Sequence, residues 1–238
     1  MISKHIIFVP GKNPKPRAAQ HRQLLWRALL EGVRRADSAA AEAIQSHDVH
    51  FHLVSWNYLY YHSYKDITRE IPWVDGLLHK HGPDKQDIRE AHSLNVHLSR
   101  SILNLADHLP ALIRFLPTEA QSTDREIRRY FDNTDNVASE IRKLLKHTLR
   151  PLLEKHEPVL LIGHSLGSVI AYDSLWELTH QEYLHGKVDF LTLGSPLGMH
   201  YVQRHLLGMH DKDKHRRSYP ELIRHWINIS SEGDIIAL

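Results

Sequence analysis

The sequence contains no cysteine, which excludes a disulfide framework and thiolate metal sites and leaves nothing that points to an oxidising compartment. Apolar runs are short, none approaching the roughly 18 residues of a membrane-spanning helix. Residues Met1 to His5 run straight into a strand-like segment without the apolar core of a signal peptide, so the cytoplasm is the expected compartment. Charge of one sign is scarce too: 30 Lys and Arg against 28 Asp and Glu give a net +2, no basis for a nucleic-acid partner. Neither internal repeats nor low-complexity tracts interrupt the 238 residues, a length that suits one domain with one core.

Histidine is present in excess, at 21 residues. The pairs His50/His52, His79/His81 and His210/His215 invite a metal reading, which the surrounding pattern disfavours. In Val49-His50-Phe51-His52-Leu53-Val54 the histidines alternate with apolar residues and so occupy the wet face of a strand. No H-E-x-x-H spacing occurs, and no metal site is assigned.

Periodicity predicts alternating strands and helices. Ile6-Ile7-Phe8-Val9 reads as a buried strand ending at Pro10-Gly11, and Gly11 to Arg17, with two prolines, as a loop. Leu25, Leu29, Val33, Ala36, Ala40 and Ile44 recur every three or four positions, which predicts one helix from Ala18 to about Ile44. Val49 to Ser55 is the second strand. Val137, Ile141, Leu144, Leu145 and Thr148 mark a further helix, with Thr134 and Asp135 as capping candidates. Val188 to Leu193 is a strand closed by Gly194-Ser195-Pro196, His210 to Arg217 an exposed loop, and His225 to Ile229 the last strand, with Asp234 just beyond it. Strands alternating with helices imply an α/β fold: a mostly parallel sheet with right-handed crossovers and helices on both faces.

The most informative stretch is Gly163-His164-Ser165-Leu166-Gly167. The apolar run Val159-Leu160-Leu161-Ile162 precedes it, and Ser168, Val169, Ile170, Ala171 and Tyr172 continue it at helical spacing. Strand, sharp turn and helix make G-x-S-x-G a nucleophile elbow. A serine there sits on strained backbone with its hydroxyl thrust outward, while the flanking glycines allow close approach of neighbouring main chain. The following helix directs free N–H groups and a positive dipole end at the serine.

About eighty residues separate the second strand from the helix at Val137, too many for a structureless loop. Residues 56–134 are therefore read as a helical cap or lid inserted into the domain 1–238. They include Trp56 to Tyr61, Ile71-Pro72-Trp73, and a helical pattern through Leu94, Leu98, Ile102, Leu105, Leu109 and Leu112. The functional reading of this segment is a lid whose apolar inner face receives an acyl chain. The alternative, favoured for most of its residues, is packing of the insert onto the body, with Tyr58, Tyr60 and Tyr61 as candidates for part of a surface patch in peripheral membrane contact.

Val159–Gly167, Leu193-Gly194-Ser195-Pro196, and Trp226-Ile227-Asn228-Ile229 followed by Asp234 together resemble the lipase/esterase branch of the α/β-hydrolase superfamily. The resemblance runs from Ile6 onward, the cap excepted. It implies a Ser–Asp–His triad in that chain order, with Ser165 as nucleophile and Asp234 as acid. It also implies the Leu166 N–H as one oxyanion donor and the loop at Gly11-Lys12 as the other. Two departures stand out. Many relatives carry His-Gly where this chain has Pro10-Gly11, which leaves the second donor open between Gly11 and Lys12. After Asp234 only Ile235-Ile236-Ala237-Leu238 remain, so the triad histidine has no counterpart and the fold's last strand and helix are expected to be absent.

Three explanations stay open: a chain shortened at its C-terminus, a relocated base, or a catalytically weak site. His200 and His205 are the substitutes considered, since His164 is expected to point away along the elbow and His225 precedes the acid. The functional expectation is a serine hydrolase cleaving small acyl esters or lipids through an acyl-enzyme, with no cofactor required. Simple esters, thioesters and lysophospholipids all fit. The alternative is a non-catalytic or weakly active protein of this fold that binds an acyl ligand or a protein partner through its cap.

Overall fold

The computed structural model describes residues 4–46, 49–106, 114–209 and 219–234. Strands β1 (His5–Val9), β2 (His50–Leu53), β3 (Val159–His164), β4 (Val188–Leu193) and β5 (Ile223–Ile229) form a sheet of order β2-β1-β3-β4-β5, parallel throughout. Parallel neighbours require crossovers, and helices supply them. Between β1 and β2 lie α1 (Ala18–Ala36) and α2 (Ser38–Ser46). Between β2 and β3 come α3 (Asn57–Tyr61), α4 (Ile71–His79), α5 (Lys85–Ala91), α6 (Leu94–Ala106), α7 (Thr118–Asp132) and α8 (Val137–Glu154). Helix α9 (Leu166–His180) joins β3 to β4, and α10 (His200–His205) lies between β4 and β5. The expected α/β architecture is thus present.

The period-two alternation of the strands divides the core. Ile7, Val9, Val159, Leu161, Val188 and Phe190 face one side, where α8 and α9 cover them. Helix α8 does this with Ala138, Ile141, Leu145, Leu149 and Leu153, a row at helical spacing in which every member is buried. Burial of each such leucine or isoleucine is worth roughly 1.5–3 kcal/mol. Ile6, Phe51 and Ile162 face the other side and pack under Leu25, Trp26 and Leu29 of α1.

That second face is covered unevenly. Leu191 and Leu193 of β4 are only partly buried, and their neighbours in register on β5, Ile227 and Ile229, remain 61% and 53% exposed. Strand β5 is an edge among the described residues, and after Ile223 every one of its residues is exposed.

Several boundaries differ from the sequence reading. The single helix expected from Ala18 to Ile44 is two helices, broken at Asp37 (φ −156°, ψ 104°), whose Oδ1 accepts the Ala40 N–H at 3.0 Å and so starts α2. Helix α8 runs on through Pro151 to Glu154. Its first turn is capped by Asp135, as expected, and also by Asn133, whose Oδ1 accepts from Ala138 and Ser139 at 2.9 and 3.4 Å. Leu94 and Leu98 of α6 are 86% and 60% exposed, against the expectation of an inward row, while Leu103 is buried. Leu109, Leu112, the loop His210 to Arg217 and Ile235 to Leu238 lie outside the described residues. No helix among the described residues is long and apolar enough to cross a membrane.

Behind α9 lies a buried polar network. Asp173 Oδ2 accepts from Tyr130 Oη at 3.0 Å and its Oδ1 from the Leu207 N–H at 3.0 Å, while Arg142 binds Glu177 at 2.8 Å and the Tyr130 hydroxyl at 3.3 Å. Burial raises the Asp173 pKa from 3.8 to about 7, against the pull of the Leu207 N–H and Arg142. Between those values the native state holds a proton that the unfolded chain has released, so this group makes stability fall as pH rises. Buried His21 acts the other way. Its pKa is lowered from 6.5 to about 4, chiefly by burial and then by Lys15, so it makes stability fall as pH drops through that window. Urea denaturation between pH 4 and 7 should therefore show Asp173→Asn gaining stability with rising pH more steeply than the parent. Parallel profiles would contradict a protonated Asp173.

Candidate active site

The turn from β3 to α9 places Ser165 at φ 51°, ψ −126°, a left-handed conformation that a non-glycine residue adopts at a cost of roughly 1–3 kcal/mol. Hydrogen bonds hold it there. The Ser165 N–H donates to Leu193 O at 2.9 Å, and the Ser165 carbonyl accepts from Ser168 N at 2.9 Å and Ser168 Oγ at 2.6 Å. Ser168 Oγ in turn lies 2.7 Å from Ser195 Oγ, which caps the 3-10 turn Pro196–Gly198. The flanking glycines permit this packing: a Cβ on Gly163 would stand 2.6 Å from Ser168 Cα, and one on Gly167 would strike the Val9 carbonyl oxygen. Leu166 opens α9, where backbone N–H groups have no partner within the helix.

The loop after β1 reaches the same place. A Cβ on Gly11 would lie 3.0 Å from Ser165 Cβ and 2.9 Å from His164 Nδ1, so the main chain at Gly11-Lys12 borders Ser165. Residues following β2 pin this loop. Trp56 Nε1 donates to Pro10 O at 2.8 Å, and Asn57 Nδ2 donates to Gly11 O at 2.8 Å and Asn13 O at 2.9 Å. The Asn13 N–H donates to Tyr61 Oη at 3.0 Å, and Lys12 Nζ to Ser122 Oγ at 3.1 Å. Trp56, Asn57 and Tyr60 are buried, in keeping with packing of this segment onto the body, and the three tyrosines do not form one surface patch. Only Tyr58 of those three is exposed, stacked on Tyr64 with ring centroids 4.6 Å apart.

Asp234 stands at the neighbouring strand ends. Its Oδ2 lies 3.0 Å from where a Cβ on Gly194 would be, and Gly194 directly follows Leu193, whose carbonyl holds the Ser165 N–H. Ser165, Gly11 and Asp234 therefore gather at the carboxyl ends of the parallel strands, where open α/β sheets bind ligands. The His164 ring does not turn away as the sequence reading has it; it lies against Gly11. The His164 side chain is exposed to water. The protein around it lowers its pKa, Lys15 lowers it further, and Asp234 opposes both.

The other histidines are engaged elsewhere. His205 Nδ1 lies 2.7 Å from Tyr201 O, and its ring stacks on Tyr201 at 4.1 Å between centroids. His200 begins the same helix, α10, and His225 Nδ1 lies 2.9 Å from Asp189 Oδ1 near the start of β5. Among the described residues no grouping of three His, Asp or Glu could hold a metal ion, and His210 and His215 of the proposed pairs lie outside them. A cleft of about 800 Å³ lined by His156, His180, His185 and Lys187 opens at the amino ends of β3 and β4, the far end of the sheet from Ser165.

The insertion joins the two sides of the site. Helix α4 docks on α1 through Asp75–Arg27 at 2.5 Å and through Arg35, which donates to Leu77 O. Helix α5 ends against the acid's turn, where Ala91 abuts Gly233 and His92 Nε2 lies 3.1 Å from Glu232 Oε2. Asn57 is the functional residue that sequence reasoning missed. Its only signal is an amide a few residues past the end of β2, with no periodicity to mark it. Asn57→Ala removes two hydrogen bonds and strands two carbonyls, which should cost about 2–3 kcal/mol in urea denaturation. Asn57→Asp, which keeps the shape but loses the donor, should fall similarly; full stability in both would refute the clamp.

No family model matches the chain, and neither the curated proteins nor the solved structures contain a match to it.

Proposed function

We propose that the protein is a serine hydrolase that cleaves carboxylic esters through an acyl-enzyme on Ser165. The observation that carries this reading is the backbone of Ser165 itself, held at φ 51°, ψ −126° between a buried strand and the first turn of a helix. Backbone strain persists where the surroundings over-determine it, and such sites cluster where chemistry is done. In this reading Ser165 Oγ attacks the acyl carbon while its proton passes to an imidazole. The carbonyl oxygen becomes an oxyanion and takes hydrogen bonds from the Leu166 N–H and the main chain of the Gly11-Lys12 loop. The alcohol leaves with the proton, and water then releases the acid by the same route. His164, beside the nucleophile and within the field of Asp234, is the imidazole the geometry offers.

A fluorophosphonate probe should label the parent protein and not Ser165→Ala. Equal labelling of both would remove the elbow from the mechanism. His164→Ala should slow labelling by roughly two or more orders of magnitude, the usual contribution of a general base. Because the surroundings lower the His164 pKa, the acid limb of the labelling rate should fall below pH 6.5, the ordinary imidazole value. A limb at or above that value, or an unaffected His164→Ala, assigns the base to another residue.

A second reading has an observation of its own. Ser165 Oγ and the His164 ring make no hydrogen bond to each other among the described residues. That favours a ligand-binding protein of this fold with little turnover. It predicts slow labelling that His164→Ala leaves unchanged.

A further inference from the structure

Four cations crowd the loop that borders Ser165. Lys65 donates its N–H to Lys15 O at 3.0 Å and pairs through Nζ with Glu70 at 2.9 Å. Lys12 reaches Ser122, and Arg17 lies over the Tyr64 ring at 5.1 Å. Lys15 is different. It is half-buried, and among the described residues no acid or hydrogen-bond acceptor lies within reach of its Nζ.

This ammonium sits on the loop whose main chain borders Ser165 at Gly11. It acts electrostatically on His21 in the first turn of α1 and on His164 beside the nucleophile. Burial, then Lys65 and Lys12, lower its own pKa. A partly desolvated cation is ordinarily paired, and like charges at short range destabilise one another. The fold does not need this arrangement, since Trp56, Asn57 and Tyr61 hold the loop through its main chain. The carboxylates nearby are otherwise placed: Glu70 on Lys65, and Asp234 over Gly194.

We propose that Lys15 forms an anion subsite on the loop that borders Ser165, so that the preferred ester carries a second, negatively charged group, a carboxylate or a phosphate. The anion supplies the charge the loop lacks, and Lys15 offers it a compact ammonium with three donors. Binding there orients the ester over the nucleophile. The choice of substrate class rests on the hydrolase reading above; the anion subsite does not.

The two are separated by measuring binding without chemistry. Calorimetry on the full chain carrying Ser165→Ala should show glutarate binding about tenfold or more tighter than valerate, its match in length without the second charge. Inorganic phosphate as a second probe shows whether the dianion is taken better than the carboxylate. Lys15→Gln should abolish the preference and Lys15→Arg should retain most of it. In the parent protein glutarate should protect Ser165 from fluorophosphonate labelling where valerate does not. Equal binding of glutarate and valerate, or a preference that survives Lys15→Gln, overturns the subsite. Binding that depends on Lys15 in a protein whose Ser165 never labels supports the subsite and removes the ester chemistry alone.

Discussion

The site depends on one steric constraint, the approach of the first turn of α9 to the end of β1. Gly167 lies where any side chain would strike the Val9 carbonyl, and Gly163 lies equally close to Ser168. Those contacts leave the residue between them no room for ordinary helical or extended backbone, so Ser165 takes a left-handed conformation. The end of β1 is gripped from its other side as well, where Trp56 holds Pro10 and Asn57 holds Gly11. The nucleophile and the loop facing it are thus two sides of one packed joint. Rigid scaffolds with function carried on the loops they position are the common solution in α/β proteins.

What could be read from the sequence follows how local each cause is. Strand β4 was legible to the residue because Gly194-Ser195-Pro196 ends an alternating apolar run, and the structure puts a left-handed glycine there. The elbow was legible because two periodicities meet at one serine. The break at Asp37 was not, since a side-chain cap inside a continuous apolar rhythm leaves the rhythm unaltered. Leu94 and Leu98 had the spacing of a buried row yet face solvent, because periodicity says that a face is apolar and not what lies against it. Asn57 was invisible for a further reason: it is defined by carbonyls more than forty positions earlier in the chain.

Charge is arranged in depth around the nucleophile's helix. Behind α9, Tyr130, Asp173, Arg142 and Glu177 form a buried network, joined by the Leu207 N–H and Lys146, that ties α7, α8 and α9 together. In front, the start of α9 points its positive dipole end at a loop that is itself basic. The same element therefore carries a neutralised network at its back and a field favouring negative charge at its front. A reaction that develops an oxyanion at Ser165 gains from the second and is insulated from the first.

Strand β5 shows what an incomplete covering does to a sheet. Arg224 pairs with Asp189 and so places charge at the amino end of the strand, while Ile227 and Ile229 leave the carboxyl half apolar and open. Charged residues on an edge discourage the addition of foreign strands, and here that protection covers one half only. The unprotected half is the half that leads to Asp234. Anything that adds to the sheet there, whether a helix laid on its face or a strand along its rim, would lie beside Asp234 and the strand end that holds the Ser165 N–H.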